Sequence, residues 1–595
     1  MTTRRKFVQH LSLALAGAPV LPILTQPLQP APPKTVSGNL IEPKAASTDT
    51  TADILVDKLI AWGVDVVFGI TGDGIIPLVD AFRKKKDRIR YITVRHEESA
   101  AFMASGYAKY TGRLGVCMAT TGPGAVHLMN GLYDASMEGA PVLALTGIID
   151  HDLLGTQFTQ EVDTIKMVQD LAIYNQEITG PQQALTIVDL ACRTALMTPG
   201  VAHLTISTDT QAKTLGEDKP SKKAGHLTGS STTPIYADLP SADELGQAAT
   251  ILNSSSKIMI LAGRGALGAR EEIEKLADKL GAPVAKALLG KTLLPDDSPF
   301  TTGGTGKLGT MPSKQMMAEC DVLLILGSNM PHLEYYPKEA VGIQIDRNPR
   351  RIGLRYPVKL GLTGDVKTTV QSLLTMVNQH QDRGFLQLAR QRMTTWRGTL
   401  AKLEGRSTTP IKPQFLVAAV SKLMADDAVV AIDTGAHTVF TARHWQARKG
   451  QQLAVCGNLA SMAPALPYAI AAQLAYPGRQ CIAMVGDGSF TMLMGEMATA
   501  VFYKLPVKVI LFKNNLLAMD RFEQEEAGYP DFSVALQPID FAAIATACGA
   551  EGYTVAKPDA LEATLRKALQ SAGPAVVQVE VDPDENPAAP EKISV

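Results

Sequence analysis

Asp487 lies in Gly486-Asp487-Gly488-Ser489-Phe490, directly after the apolar stretch Cys481-Ile482-Ala483-Met484-Val485 and ahead of the helical periodicity of Met492 to Tyr503. A buried strand that runs into a glycine-rich turn and then a helix makes a cradle for phosphate. Glycine lets the backbone approach the ligand, and the start of the helix offers unpaired N–H donors to the anion. A diphosphate held there needs its charge balanced by a hard cation, which takes oxygen ligands. Asp487 offers one, and Asn514, 27 positions later at the end of the apolar stretch Val507 to Phe512, offers another. If these stretches are neighbouring parallel strands, both side chains reach the same carboxyl edge, where ligands of such sheets bind.

A second group of polar residues lies in the first third of the chain. Glu97 and Glu98 open a helix rich in small residues, Arg95 to Ala108, after the strand Tyr91 to Val94, where the helix dipole favours carboxylates. Thr121-Gly122-Pro123-Gly124 forms another glycine turn between strand and helix and continues into Ala125-Val126-His127-Leu128. In the middle of the chain, Ile258 to Ala262 ends in Gly263-Arg264-Gly265. It is followed by Gly303-Gly304-Thr305-Gly306, Leu326-Gly327-Ser328-Asn329, Asp346-Arg347-Asn348 and Gly364-Asp365, each at a strand end or in the turn after it. The first of these lacks a full GxGxxG, so it does not by itself establish a dinucleotide site.

The elements that must position these residues follow from the alternation of short β-branched runs with helical periods, as in Val64-Val67, Ile92-Val94, Gly115-Ala119 and Val142-Leu145. That alternation predicts an α/β fold of doubly wound parallel sheets. It pauses from about Leu215 to Pro234 and in the polar helical stretch from about Gln379 to Pro410, which leaves three blocks at 52–214, 240–378 and 411–583 and a tail at 584–595. The first and third blocks are candidates for related folds that have diverged. With 57 Lys plus Arg against 58 Asp plus Glu, the net charge of −1 gives no field that favours nucleic acid or an anionic membrane, so small molecules are the expected partners. The six cysteines are widely spaced in apolar segments without a CxxC pair and are expected to be buried thiols.

Residues 1–50 are expected to stand outside the fold. Thr3-Arg4-Arg5-Lys6-Phe7-Val8-Gln9 precedes Leu11 to Leu24, which Pro19 and Pro22 interrupt. This reads as a twin-arginine export signal followed by a linker rich in Pro, Ser, Thr and Ala. The expected location is the periplasm, with a tether to the inner membrane if the signal is not cleaved.

The segment from Gly486 to Asn514 resembles the signature of thiamine-diphosphate-dependent enzymes, and the likeness extends over nearly all of residues 52–590. It implies that Asp487, the Asn514 side chain and the Leu516 carbonyl hold Mg²⁺ on the diphosphate, a one-residue shift making Asn515 the ligand instead. It also implies that Gly72, Gly122, Ala460, Gly486, Gly488 and Ser489 line the cofactor. Arg95 to Ala108 resembles the segment that carries the activating glutamate, which gives that role to Glu97: its carboxyl bonds the pyrimidine N1′, so that the cofactor's own amino nitrogen can take the C2 proton. Ala460-Ser461-Met462 resembles the stretch in which Met462 forces the two rings together, although that family often has Gly at 460, 463 and 465 where this chain has Ala.

Within that family the middle block is similar to the FAD-binding domain of bacterial quinone-reducing pyruvate oxidases. The resemblance implies FAD contacts at Gly263, Arg264, Gly265, Gly304, Thr305, Asn329, Asp346, Asn348, Gly364 and Asp365. It further implies Gln160 and Glu523 near the reacting carbon, with Thr159 in place of a Phe and Asp520 in place of an apolar residue, whose charge Arg521 would have to compensate. The expected reaction is oxidative decarboxylation of a 2-oxo acid, pyruvate by default, with FAD passing electrons to a quinone or oxygen. The alternatives are an acetolactate-synthase-type carboligase with structural FAD and a non-catalytic cofactor-binding subunit. The resemblance implies a homodimer or homotetramer with the cofactor between subunits. The chain ends at Val595 without the C-terminal lipid-binding peptide of one bacterial branch, so recruitment to a lipid surface by that route is not expected.

Overall fold

The computed structural model describes residues 47–218, 230–232, 238–588 and 592–593. The expected export signal falls on residues 1–46, outside the described residues.

The β-branched runs form three six-stranded sheets, and every paired strand is parallel to its neighbour. The first contains β1 Val66–Gly69, β2 Arg90–Thr93, β3 Gly115–Ala119, β4 Val142–Ile148, β5 Ala172–Ile178 and β6 Val201–Ser207, in the order β2-β1-β3-β4-β6-β5. The second contains β7 Ile258–Ala262, β8 Val284–Lys286, β9 Thr301–Gly304, β10 Val322–Leu326, β11 Val341–Asp346 and β12 Leu360–Thr363, ordered β12-β11-β10-β7-β8-β9. The third contains β13 Val429–Ile432, β14 Gln452–Val455, β15 Cys481–Gly486, β16 Lys508–Lys513, β17 Glu551–Val555 and β18 Ala575–Glu580, ordered β14-β13-β15-β16-β18-β17. Central strands such as Ile258–Ala262 and Val322–Leu326 are buried at every position, as strands covered by helices on both faces must be.

The third sheet repeats the strand order of the first. Each sheet has one central reversal of direction, between β1 and β3, between β7 and β10, and between β13 and β15; in the first and third sheets the last two strands also exchange places at the edge. A crevice opens at the carboxyl end of such a reversal, because successive connections leave towards opposite faces. Glycine turns occupy all three central reversals. At the second, the backbones after β7 and β10 nearly touch: a Cβ on Gly327, whose φ is +54°, would stand 2.6 Å from the Gly265 Cα.

The periodicity of Met492 to Tyr503 predicts one helix, but the chain forms two, Asp487–Leu493 and Glu496–Phe502. The second restarts at Glu496, whose buried carboxylate turns away to accept the Arg95 N–H at 2.8 Å and the His96 N–H at 3.2 Å, tying the first block to the third. The polar stretch after Gln379 contains the helix Gly384–Glu404. Five of the six cysteines are buried, Cys548 only partly, and all six are unpaired thiols; burial pushes the Cys117 thiol up to about 12. Among the described residues no helix is long and apolar enough to cross a membrane.

The first and third blocks share one core. The helix Glu97–Thr111 is buried along most of its length because its inner positions are small, including Ala100, Ala101, Ala104, Ser105 and Gly106, and it lies against the helix Ala465–Ala475. Inside this interface the Lys109 ammonium meets Asp134 Oδ1 at 2.7 Å and Glu138 Oε2 at 3.0 Å and donates to the Tyr468 hydroxyl at 2.9 Å. Glu138 also accepts the Gly457 N–H at 2.6 Å, while Arg264 of the second block donates to the Gly139 carbonyl at 3.1 Å.

The contact between the turns after β7 and β10 makes Gly327→Ala costly. Left-handed strain and overpacking together are expected to remove about 2–4 kcal/mol, read as a lower thermal midpoint. Gly268→Ala, where an added Cβ meets nothing within 4 Å, should leave the midpoint nearly unchanged.

Candidate active site

A cavity of about 990 Å³ runs along the carboxyl edges of the second and third sheets. At one end it is walled by the turns after β7 and β10, by Asp346 at the end of β11 and by Asn348 beyond it; at the other end by Ala460, Met462, Gly486 to Ser489, Asn514 and Leu516.

At the third-sheet end Asp487 begins its helix and is buried. Its Oδ1 accepts the Gly488 N–H at 3.0 Å, and its Oδ2 accepts those of Asn514 at 3.0 Å and Asn515 at 2.6 Å. The pairing of β15 with β16 thus brings Asp487 and Asn514 together, as parallel neighbours should. Burial raises the Asp487 carboxyl above its ordinary range, a cost that a bound cation would offset. Asn514 and Leu516 face the cavity, whereas Asn515 is not part of its wall and its carbonyl accepts the Leu536 N–H. The oxygen donors of Asp487, Asn514 and Leu516 suit a hard divalent cation.

Two groups that sequence reasoning missed complete this end. Asp433, just beyond β13, accepts the Ala463 N–H at 2.8 Å and the Ala465 N–H at 3.0 Å, clamping the loop that carries Met462. The clamp works against strain, because Ala460 (φ +57°) and Ala463 (φ +89°) are both left-handed where glycine would be relaxed. Burial pushes the Asp433 carboxyl up to about 6. The Met462 methyl lies over Gly488, 3.5 Å from where a Cβ there would stand. His437, in the first turn of the helix Ala436–His444, presses on Gly486; its buried Nε2 has no hydrogen-bond partner among the described residues, and burial pushes the imidazole down to about 3. The signal for both was an apolar run, Val429 to Ile432, ending in Asp433-Thr434-Gly435.

At the second-sheet end Thr305 Oγ1, Ser328 Oγ and Asn329 Oδ1 line the same cavity, buried and without hydrogen-bond partners among the described residues. Buried polar atoms are nearly always paired, so orphans that share one cavity fit a polar ligand such as a dinucleotide. Gly263, Arg264 and Gly265 line it as well, and burial raises the Asp346 carboxyl. Gly304, Gly364 and Asp365 stand back from the wall. The Asp365 carboxylate accepts the Thr368 N–H at 3.1 Å as a helix cap.

The first-block residues form a separate group. Glu97 opens its helix, nearly buried, with Oε2 3.0 Å from His127 Nδ1. Its Oε1 lies over the glycine turn, 3.3 Å from where a Cβ on Gly124 would stand. Gly72 and Gly122 lie in the turns after β1 and β3, and the Thr121 hydroxyl donates to Gln160 Oε1 at 2.8 Å. None of these residues lines the large cavity of the single chain. Glu523 is also outside that wall, exposed and 3.5 Å from the Lys307 ammonium. Asp520 does line it, and Arg521 does not compensate: its guanidinium reaches Glu525 at 2.9 Å and Asp584 at 2.8 Å. Phe158, beside Thr159, is exposed.

Three family models match the chain: the thiamine pyrophosphate enzyme N-terminal TPP binding domain over residues 49–167, the central domain over 245–373, and the C-terminal TPP binding domain over 433–579. YdaP of Bacillus subtilis, named as a thiamine pyrophosphate-containing protein, is 38% identical, over 92% of this chain and 93% of the relative. The pyruvate oxidase of Lactiplantibacillus plantarum is 31% identical, over 92% and 91%. The acetolactate synthase isozyme 1 large subunit of Escherichia coli is 28% identical, over 90% and 94%.

The buried Asp433 carboxyl gives a pH test. Its folded value of about 6 lies above the ordinary 3.8, so the folded chain holds a proton that the unfolded chain has lost. The stabilisation from that proton is complete below about pH 4 and is lost as the pH rises through 6. The stability of the wild type relative to Asp433→Asn, which does not titrate, should therefore decline by roughly 3 kcal/mol between pH 4 and pH 7, measured as a converging or inverting difference in thermal midpoint.

Proposed function

Because the chain belongs to the thiamine pyrophosphate enzyme family, we propose that it decarboxylates a small monocarboxylic 2-oxo acid, first of all pyruvate, and passes the electrons through FAD to a quinone or oxygen. The observation that carries this reading is the single cavity that joins the diphosphate cradle at Asp487 to the turns after β7 and β10, so that two cofactors would share one continuous space. Its volume is at the upper end of ligand sites.

Asp487, Asn514 and the Leu516 carbonyl would hold Mg²⁺ and, through it, the diphosphate, whose charge the start of the helix Asp487–Leu493 would favour. Met462, on the loop that Asp433 clamps, would press the two rings of the cofactor together. Thiamine diphosphate supplies the electron sink that lets the 2-oxo acid lose CO₂, and FAD supplies a two-electron acceptor. The Glu97 carboxyl holds and returns a proton at the pyrimidine nitrogen. Asp520 disfavours substrates with a second carboxylate, since its nearest basic residue in sequence is committed to Glu525 and Asp584.

In this reading Glu97 acts on the cofactor bound by a second copy of the chain. Large apolar side chains exposed beside both half-sites support it: Ile76 after the Gly72 turn, Val126 beside His127, and Met492 and Phe502 after Asp487. The Arg4-Arg5 segment supports a periplasmic location.

Two experiments test the reading. Anaerobic stopped-flow absorbance of the purified holoenzyme should show flavin bleaching with pyruvate and little with 2-oxoglutarate; acetolactate formation without bleaching would assign a carboligase instead. Glu97→Gln and Asp487→Asn should each lower kcat by about 10²–10⁴. Refolding the two variants together should restore about a quarter of wild-type activity, because half the dimers are mixed and each carries one intact site. No recovery would place both residues in one subunit's site.

A further inference from the structure

His127 is a residue to which the proposed function gives no task, yet it makes the closest polar contact of the Glu97 carboxyl, 3.0 Å between Nδ1 and Oε2. We infer that His127 is the positioning residue of Glu97 and the route by which that carboxyl gains and loses its proton; the inference rests on the role proposed above for Glu97.

Three observations support it. The ring is held in place: His127 stacks on His96 with centroids 4.4 Å apart and planes inclined by 27°. The supporting ring is itself fixed, because His96 caps the helix by accepting the Glu98 N–H at Nδ1, 3.2 Å away, which leaves His96 its proton on Nε2. The neighbouring carboxylate does not compete for His127, since Glu98 accepts the Asn130 amide at 2.6 Å. Glu97 therefore presents Oε2 to a ring of fixed direction and leaves Oε1 over the Gly124 turn, where an added Cβ would come within 3.3 Å.

The step balances with one proton in and one out. With Glu97 protonated, His127 in its Nε2–H form accepts the carboxyl proton at Nδ1 and releases the Nε2 proton to water. The pair is then a carboxylate accepting Nδ1–H. The reverse sequence reloads Glu97. A residue that only donates a hydrogen bond can hold Oε2 but cannot carry the proton, and this separates transfer from positioning. His127 is 44% exposed, so substitution there spares the core.

The test uses His127→Gln and His127→Ala. Thiamine diphosphate affinity, read by fluorescence quenching, should stay near wild type, while deuterium exchange at C2 of the bound cofactor, read by acid quench and proton NMR, should slow by about tenfold or more in both variants. Added imidazole should restore exchange in the alanine variant. In cofactor-free protein labelled with ¹⁵N-histidine, the resonances missing from His127→Gln should shift in Glu97→Gln. Wild-type exchange in His127→Gln, or His127 resonances indifferent to Glu97→Gln, would overturn the inference. Failure of wild-type chain to bind thiamine diphosphate would strike the functional reading instead, and the cofactor-free spectra would still decide the His127 contact.

Discussion

The Lys109 ammonium, sealed between two carboxylates, is the constraint from which the rest of the arrangement follows. An ammonium ion in an apolar interior is tolerated only if its charge and its three donors are satisfied, and removing one partner of such a group typically costs 3–5 kcal/mol. Here the partners come from different blocks. Asp134 and Glu138 belong to the first, while the Tyr468 hydroxyl and the Val455 carbonyl belong to the third. Those two carboxylates keep Lys109 above its ordinary range despite burial. Glu138 reaches Gly457, at the root of the loop that carries Met462, and Arg264 of the second block binds the carbonyls of Glu138 and Gly139. Lys109 also stands near the end of the helix that Glu97 opens, about 18 Å along its axis. One buried charge cluster thus sets the position of the Glu97 helix, the Met462 loop and the glycine turn after β7.

The likeness of the first and third sheets gives this anchoring its meaning. Glu97 and Asp487 sit at matching edges of sheets with the same strand order, and the core between them is continuous. Each half-site is therefore a strand-end crevice on a rigid layer. A ligand with one heterocyclic and one anionic end meets two copies of the same scaffold, decorated for different chemistry.

Most of the scaffold was legible in the sequence because strands buried on both faces must be continuous apolar runs. Gly115–Ala119 appears in the structure with the limits read from sequence, and Cys481–Val485 differs by the one residue that adds Gly486. The helix break before Glu496 was not legible, since it depends on a carboxylate bonding to a distant backbone. Asp487 and Asn514 could be paired from spacing because parallel register fixes where neighbouring strands end. Asp433 and His437 escaped notice because their turn holds a single glycine and what they meet, Ala463 and Ala465 for one and Gly486 for the other, lies far along the chain. The orientation of Arg521 towards Asp584, and of Glu523 towards Lys307, depends on which face of a short helix meets another block, and local sequence does not encode that.

The cavity wall from Leu516 to Asp520 lies beyond the last rung of β16, in the connection to the helix Ala518–Glu526 and the first turn of that helix. Its side chains support no sheet ladder and fill little of the sheet cores. A lineage can therefore retune this stretch by single replacements without refolding anything beneath it.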